Sequence, residues 1–346
     1  MRCPAALRRP ARVLFSLKLS RQPSWSRNTR IVHSLWMVAG GWSLWPKSAP
    51  DRNRITRNLF YQNNPGSGIL DSMILSLSVR VAESFSNKRK SAIPLEELAR
   101  IAAGAGYDAL CMRASVVGVH SPAGTAARVK GTVSEHGLII SMVTADFPVP
   151  ENSAEGPNSL RRITPSLDLA EALGADLIRI CMKKEEDIVH ARRAADEARE
   201  RGIRLAHQSH TRSLFETVEG SVAVLKEVGR PNFGIIYEPA NLALCGQPYG
   251  EATLRAFQPW LFNVYLQNHT PEPDGLQPMD TWTRGKVMST LRPLDAPGGI
   301  DFAAIFDGLR AIGYDGCVTM HQAFGGDMTP AEATRRTATF LGGLMK

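Results

Sequence analysis

The sequence predicts an α/β protein, a parallel (β/α)8 TIM barrel over residues 73–346, preceded by a basic extension of low structure over residues 1–72. From residue 73 onward, short apolar strand patterns alternate with amphipathic helical ones at a spacing of about 30 residues. Eight such pairs can be read, the number a closed parallel barrel needs. Four of the later strands stop at a polar residue, Gln208, Glu238, Gln267 and His321. Polar groups so far apart in sequence meet only if their strands lie parallel around one axis, and the carboxyl ends of such strands form the active-site face. A doubly wound open sheet is the competing fold, but no GxGxxG or Walker loop follows any strand.

The elements follow in order. Strand one is expected over 74–81, and the helix after it opens at Pro94 with Glu96 and Glu97 in its first turn, where the helix dipole favours acids. Gly106 ends that helix. Strand two is expected over 108–113, then a helix over 123–135, strand three over 138–145 and, past a loop rich in Pro, Glu and Asn, a helix over 158–173. Strand four spans 176–181. A charged helix over 185–201 carries the apolar stripe Ile188, Ala191, Ala195 and Ala198. Strand five (203–207), a helix (213–228), strand six (233–237), a helix (250–258) and strand seven (262–267) continue the alternation. Residues 269–299 show no regular pattern and read as a long binding loop or cover. A helix over 301–312, strand eight over 316–320 and a closing helix over 330–344 complete the chain.

At 346 residues the chain holds a barrel of ordinary size, about 250 residues. The formal charge of +8 is uneven. Residues 1–72 contain twelve Lys or Arg against Asp51 and Asp71, a net of +10, which leaves −2 for the remainder. The body therefore offers no electrostatic case for nucleic acid. The extension, rich in Arg and Ser, reads as a transit-like segment, as a disordered arm or, the favoured reading, as sequence upstream of a later start at Met73. No run of about 18 apolar residues occurs, so no membrane span is expected. Five cysteines without a CxxC pair, with Cys111, Cys181 and Cys317 inside expected strands, read as reduced core thiols of a cytoplasmic protein.

Three stretches carry a family likeness: Arg204 to His210 (RLAHQSH), Phe233 to Asn241 (FGIIYEPAN) and Asn263 to His269 (NVYLQNH). Pro297 to Phe302 and Gly313 to His321 extend it, in the same order. Together they resemble the sugar phosphate isomerase/epimerase family of xylose-isomerase-like barrels, over residues 73–346. The resemblance implies a divalent metal held by Glu, Asp, His and Glu at the strand ends, and proton transfer through an enediolate of a sugar-like hydroxyketone. In this chain the first Glu falls on Gln208, the Asp on Glu238 and the last Glu on His321. The His falls on Tyr265 without a gap, although Gln267 points to the same side of the strand and is the better oxygen donor.

On that pattern Gln208, Glu238, Gln267 and His321 are the expected metal ligands, with a single ionised carboxylate among them. Such a set weakens Mg and shifts preference toward Zn, Mn or Fe. Glu238, His210 and His321 are the candidate catalytic groups, since an enediolate route needs groups that move protons. Arg113, Arg179, Lys183, His207, Asn241, Tyr265 and Asn268 are candidate substrate-binding residues, the arginines suited to a phosphate or carboxylate. Each has a plainer alternative: Glu238 paired with Arg204, His321 as a hydrogen-bonded core histidine, and the arginines as rim ion pairs. Trp260, Trp282, Phe147 and Phe324 lie where a sugar ring stacks or where ordinary packing needs an aromatic. The expected activity is an isomerase or epimerase on a small polyol, ketose or sugar acid. A related dehydratase or lyase and a non-catalytic or metal-poor barrel are the alternatives. An abasic-site endonuclease on the same barrel needs a multi-zinc cluster that these residues do not assemble. The expected partner is a small sugar-like molecule, with no nucleic acid and no membrane, and homo-oligomers are the default for such enzymes.

Overall fold

The computed structural model describes residues 73–83, 88, 90–145, 154–323 and 328–346. The extension 1–72, Phe147 and Phe324 lie outside the described residues. Strands β1 (Ile74–Ser78), β2 (Ala109–Met112), β3 (Ile139–Thr144), β4 (Leu177–Ile180), β5 (Arg204–Gln208), β6 (Phe233–Tyr237) and β7 (Leu261–Leu266) follow one another along the chain. Three short strands stand outside them, β8 (Asn268–Pro271), β9 (Gln277–Thr281) and β10 (Gly285–Arg292), and β11 (Cys317–Met320) returns to the barrel. The eight barrel strands close in the order β1-β11-β7-β6-β5-β4-β3-β2, every neighbouring pair parallel. The expected barrel is therefore present.

Helices fill the crossovers: α1 (Leu95–Ala105), α2 (Thr125–Glu135), α3 (Pro157–Arg161), α4 (Thr164–Leu173), α5 (Asp187–Glu200), α6 (Val218–Val228), α7 (Pro239–Leu244), α8 (Glu251–Phe257), α9 (Phe302–Ala311) and α10 (Pro330–Leu344). Their ends follow from local chemistry. Gly106, at φ 94°, closes α1 in the left-handed region that a β-carbon disfavours. At α10, Thr329 and Glu332 form a capping box with Pro330 behind it, and the helix spans the expected residues. The stripe Ile188, Ala191, Ala195 and Ala198 of α5 is buried as expected.

Four expectations change. Strand one stops at Ser78 rather than 81, because the Ser78 hydroxyl accepts the Arg80 amide (3.3 Å) and opens a 3-10 turn over Val79–Ala82. The helix expected over 158–173 is two helices, since Pro165 supplies no amide hydrogen and is tolerated only in a first turn. The helix expected from 213 begins at Val218, capped by Thr217. The stretch 269–299, expected to be irregular, contains an antiparallel sheet ordered β8-β10-β9.

The barrel interior is packed by Cys111, Met142, Leu177, Ala206, Ile236, Phe262 and Tyr265, above a floor of Ile74, Ala109, Ile139 and Cys317. A larger apolar layer joins the outer strand faces to the helices, where each fully buried Leu or Ile contributes roughly 2 kcal/mol. Arg204 pairs with Asp176 at 2.9 Å and lies over the Phe262 ring. It sits at the start of β5, so the expected alternative of an Arg204 partner for Glu238 is corrected: the two stand at opposite ends of their strands.

Candidate active site

Side chains alternate across a strand, so the interior positions Cys111, Leu177, Ala206, Ile236 and Tyr265 fix what lies one step nearer the carboxyl end. Those next positions are Arg113, Arg179, Gln208, Glu238 and Gln267. On β1 and β11 the same count brings Ser78 and His321 to the mouth. The opposite phase sends His207 outward, where its ring stacks on Phe215 with centroids 4.1 Å apart and Nδ1 lies 2.6 Å from the Gln208 carbonyl oxygen.

Glu238 is fully buried at the centre. Its Oε2 accepts from the Gln208 amide and from Asn241 Nδ2 (2.9 Å), and its Oε1 accepts from the Gln267 amide. Three carboxamides on β5, β7 and the first turn of α7 thus close around one carboxyl. Burial pushes that carboxyl up to about 7, against the pull of the Gln208 and Gln267 bonds and of Arg179 and Arg80.

His321 lies flat on Tyr265, with centroids 3.8 Å apart and planes at 10°, and its Nδ1 is 3.1 Å from Ser78 Oγ. Burial first, then Arg113, Arg80 and Arg179, hold the imidazole well below its ordinary range, so it is neutral. Tyr265 reaches across the barrel to Cys111 Sγ at 3.3 Å. His210 follows Gln208 by two positions, with Nδ1 2.9 Å from the Thr211 carbonyl oxygen. Burial and then Arg179 lower it to about 3. Near neutrality its imidazole is therefore neutral.

Arg113 is 1% exposed; its Nε donates to Glu83 Oε1 at 2.8 Å, and Ser115 Oγ donates to the same oxygen at 2.7 Å. Arg80, on the 3-10 turn, faces Glu83 Oε2 at 3.6 Å. Neither Arg80 nor Glu83 stands out in the sequence, because the strand alternation runs on to Val81 and hides the turn. Lys183 donates from Nζ to the Arg212 carbonyl at 2.9 Å. Asn268 is occupied structurally: its amide donates to Gln322 Oε1, its Nδ2 to the Pro293 carbonyl, and its Oδ1 accepts from Ile300. Trp282 is half-exposed at the β9–β10 turn, and Trp260 lies in a 3-10 turn before β7.

A family model of the xylose isomerase-like TIM barrel matches residues 99–342. The chain belongs to that family. Among solved structures, a probable 3-DHS dehydratase, AsbF, from Bacillus anthracis is 16% identical, with a TM-score of 0.58 over 78% of this chain and 99% of that one. A D-allulose 3-epimerase from Methylomonas sp. is 17% identical, with a TM-score of 0.57 over 80% of this chain and 100% of that one. A xylose isomerase-like TIM barrel protein from Mycobacterium smegmatis, solved with magnesium, is 16% identical, with a TM-score of 0.55 over 80% and 98%. At these identities they share the fold. No curated protein matches the chain.

The Mycobacterium smegmatis barrel holds magnesium, and the residues expected to ligate a metal in this chain differ from what such an ion prefers. The donors do not fit a hard divalent ion. Glu238 is the single carboxylate among Gln208, Glu238, Gln267 and His321, and both its oxygens already accept amide hydrogens. The imidazole beside it sits in the field of Arg80, Arg113 and Arg179, which repels a cation. Among the described residues no group of three or more His, Cys, Asp or Glu side chains is arranged to hold a metal. Nor does any described helix have the length and apolarity to cross a membrane.

Proposed function

We propose that this barrel is an enzyme that moves a proton on a small hydroxy-carbonyl compound, an isomerisation or dehydration, with Glu238 as the proton carrier and without a divalent metal. The observation that supports this reading is the Glu238 carboxyl itself, buried among three carboxamides and pushed up to about 7. A group that titrates near the working pH is the efficient acid/base. Its carboxylate form takes a proton from the carbon next to the substrate carbonyl, and the electron pair passes to the carbonyl oxygen. Returning the proton to the former carbonyl carbon, while the hydroxyl proton on the first carbon passes to the oxyanion, gives an isomer; loss of a β-hydroxyl as water, protonated from Glu238, gives a dehydration. Gln208, Gln267 and Asn241 hold the carboxyl in place in both protonation states. Neutral His321, braced by Ser78 and Tyr265, supplies an uncharged hydrogen-bond donor for the developing oxyanion.

The four described cysteines are buried and outside disulfides, which fits a reducing compartment and supports a cytoplasmic setting. The test is solvent exchange. Protein dialysed against a chelator, incubated in D2O with a panel of ketoses, sugar acids and hydroxyketo acids, is expected to incorporate deuterium at one carbon of its substrate. Glu238→Gln is expected to lower that rate at least a hundredfold. Exchange that survives in Glu238→Gln, or that appears only when a divalent metal is added back, removes the proposal. A second reading, a sugar-binding barrel without turnover, draws on the saturated hydrogen bonding of Glu238; binding of panel members without exchange would select it.

A further inference from the structure

We propose that the outer face of the inserted sheet β8-β10-β9 docks a second copy of this chain across a two-fold axis, with Leu276, Trp282 and Met288 as the apolar centre of the contact. Such docking does not depend on which proton the barrel moves.

Of the four large apolar side chains exposed among the described residues, three belong to this sheet and its turns: Leu276 at 91%, Trp282 at 53% and Met288 at 36%. The fourth, Val189, is on α5. Strand alternation separates the two faces of the sheet. Val287, Ser289 and Thr281 are buried on one, while Lys286, Met288, Pro278 and Asp280 are exposed on the other. The exposure is not slackness. The Gly275 amide donates to the Glu272 carbonyl at 3.0 Å, and a β-carbon on Gly275 would collide with the Ser289 backbone, so the turn that carries Leu276 lies tight against β10. The Trp282 amide is held by Glu216 Oε1 at 2.7 Å. Apolar groups displayed on a fixed backbone lose little freedom when a partner covers them, and a cluster of this kind marks an interaction surface.

The occupant follows from the sheet's edge and its charges. Among the described strands β9 has a neighbour on one side only, but Pro278 has no amide hydrogen to give, which blunts that edge against an added strand and leaves the face as the open surface. On that face acids and bases stand in pairs, Asp280 opposite Lys286 and Glu272 in contact with Arg292. A face so balanced gives no advantage to a strongly charged partner, and it matches its own image. A two-fold axis lying between two such faces, along the strands and midway between β9 and β10, sets each β10 over the partner's β9. Because Lys286 is in register with Asp280 and Met288 with Pro278, Lys286 then faces the partner's Asp280, and Met288 faces the partner's Pro278. Toward β8 the face ends in hydrogen-bonded polar groups, Arg292 donating to Thr270 Oγ1 at 3.0 Å and Thr290 to Glu272 Oε2 at 2.6 Å, which suits the rim of such a contact.

The experiment is sedimentation and light scattering of the full chain over a range of about 1 to 100 µM, with circular dichroism to show that each variant is folded. Wild type is expected to form a dimer in that range. Leu276→Asp and Trp282→Ala are each expected to weaken the dimer at least tenfold, whereas Val189→Asp, which alters the exposed apolar residue on α5, is expected to leave it unchanged. Lys286→Glu and Asp280→Lys put like charges opposite each other across the axis, and each alone is expected to weaken the dimer at least tenfold. Mixing these two variants restores opposite charges at both facing pairs, so the mixture is expected to regain a dimer close to wild type in strength. A wild-type chain that stays monomeric throughout the range overturns the proposal, as does an oligomer that Leu276→Asp leaves intact. A mixture that associates no better than its two components overturns the two-fold arrangement.

Discussion

The Gln208 side chain donates its amide to the carboxyl of Glu238 on the neighbouring strand, so a neutral group sits where the family pattern implies a second carboxylate. Replacing it by Gln208→Glu sets two carboxyls in contact in a buried site, and the pair resists full ionisation. The variant is expected to lose about 2 kcal/mol of stability at neutral pH relative to wild type, since a bond is exchanged for repulsion. It is also expected to show a rise in unfolding midpoint on adding Mn2+, larger than that of wild type, because a cation relieves that repulsion. Thermal unfolding with and without Mn2+ checks both. An unchanged response to Mn2+ would show that the surrounding arginines, rather than Gln208, decide the site's charge preference.

Buried titratable groups make stability depend on pH in two opposing windows. His207 and His210 are lowered from 6.5 to about 3 and His269 to about 4, each chiefly by burial. The folded protein keeps them neutral while the unfolded chain protonates them, so stability is lost as pH falls from about 6.5 toward 3. Glu238 runs the other way. Its folded value near 7 lies above the ordinary 4.5, so its contribution is fully present below about 4.5 and is lost as pH rises through about 7. Denaturant unfolding at pH 4.5, 6 and 8 is expected to show Glu238→Gln losing ground to wild type at pH 4.5 and regaining it by pH 8, a swing of the order of 3 kcal/mol. A pH-independent difference between the two proteins would place the Glu238 titration elsewhere.

The barrel and the ring of strand-end residues were legible because both are written in one-dimensional patterns. Alternating apolar strands, helix stops such as Gly106 and Gly174, and the capping box at Thr329 need only near neighbours in sequence. Gln208, Glu238, Gln267 and His321 stood out because each breaks an apolar run at its end. What hydrogen-bonds to what was hidden. Nothing in one dimension says that Gln208 and Gln267 donate to Glu238, or that Asn268 is tied to Gln322, Pro293 and Ile300. The sheet β8-β10-β9 escaped notice for a different reason: Pro271 and Pro278 lie in its two outer strands, and its residues alternate weakly because it buries little on either face.

Two glycines of the same composition carry opposite expectations. A β-carbon on Gly234 in β6 would press against the Trp260 carbonyl oxygen and lie 2.6 Å from the Phe262 ring, so the strand and the barrel wall cannot both stay in place. Gly234→Ala is expected to cost about 3 kcal/mol. Gly131 lies inside α2 with open space where its β-carbon would go. Gly131→Ala is expected to stabilise by about 0.5–1 kcal/mol, as alanine restricts the unfolded chain and favours helix. Urea unfolding of the two variants side by side checks the pair, and equal effects would show that the β6–β7 approach is looser than described.

Glu216 ties the inserted sheet to the barrel. It is 4% exposed, and its Oε1 accepts from the Arg212 and Trp282 backbone amides while its Oε2 accepts from Thr283 at 2.9 Å. One carboxylate therefore satisfies donors from the β5–α6 loop and from the β9–β10 turn, segments about 70 residues apart. Arg212 adopts φ 55°, a left-handed conformation rare outside glycine, and the bond from its amide to Glu216 offsets that strain. Glu216→Ala leaves three partly buried amides without that acceptor, and is expected to cost about 1–2 kcal/mol. Because the lost bonds hold the β9–β10 turn, amide hydrogen exchange is expected to rise at Trp282 and Thr283 well before it rises in β6. Glu216→Gln keeps one oxygen and is expected to lie between. Uniform exchange across the barrel in Glu216→Ala would show that this carboxylate supports the fold as a whole, with no separate part in holding the sheet.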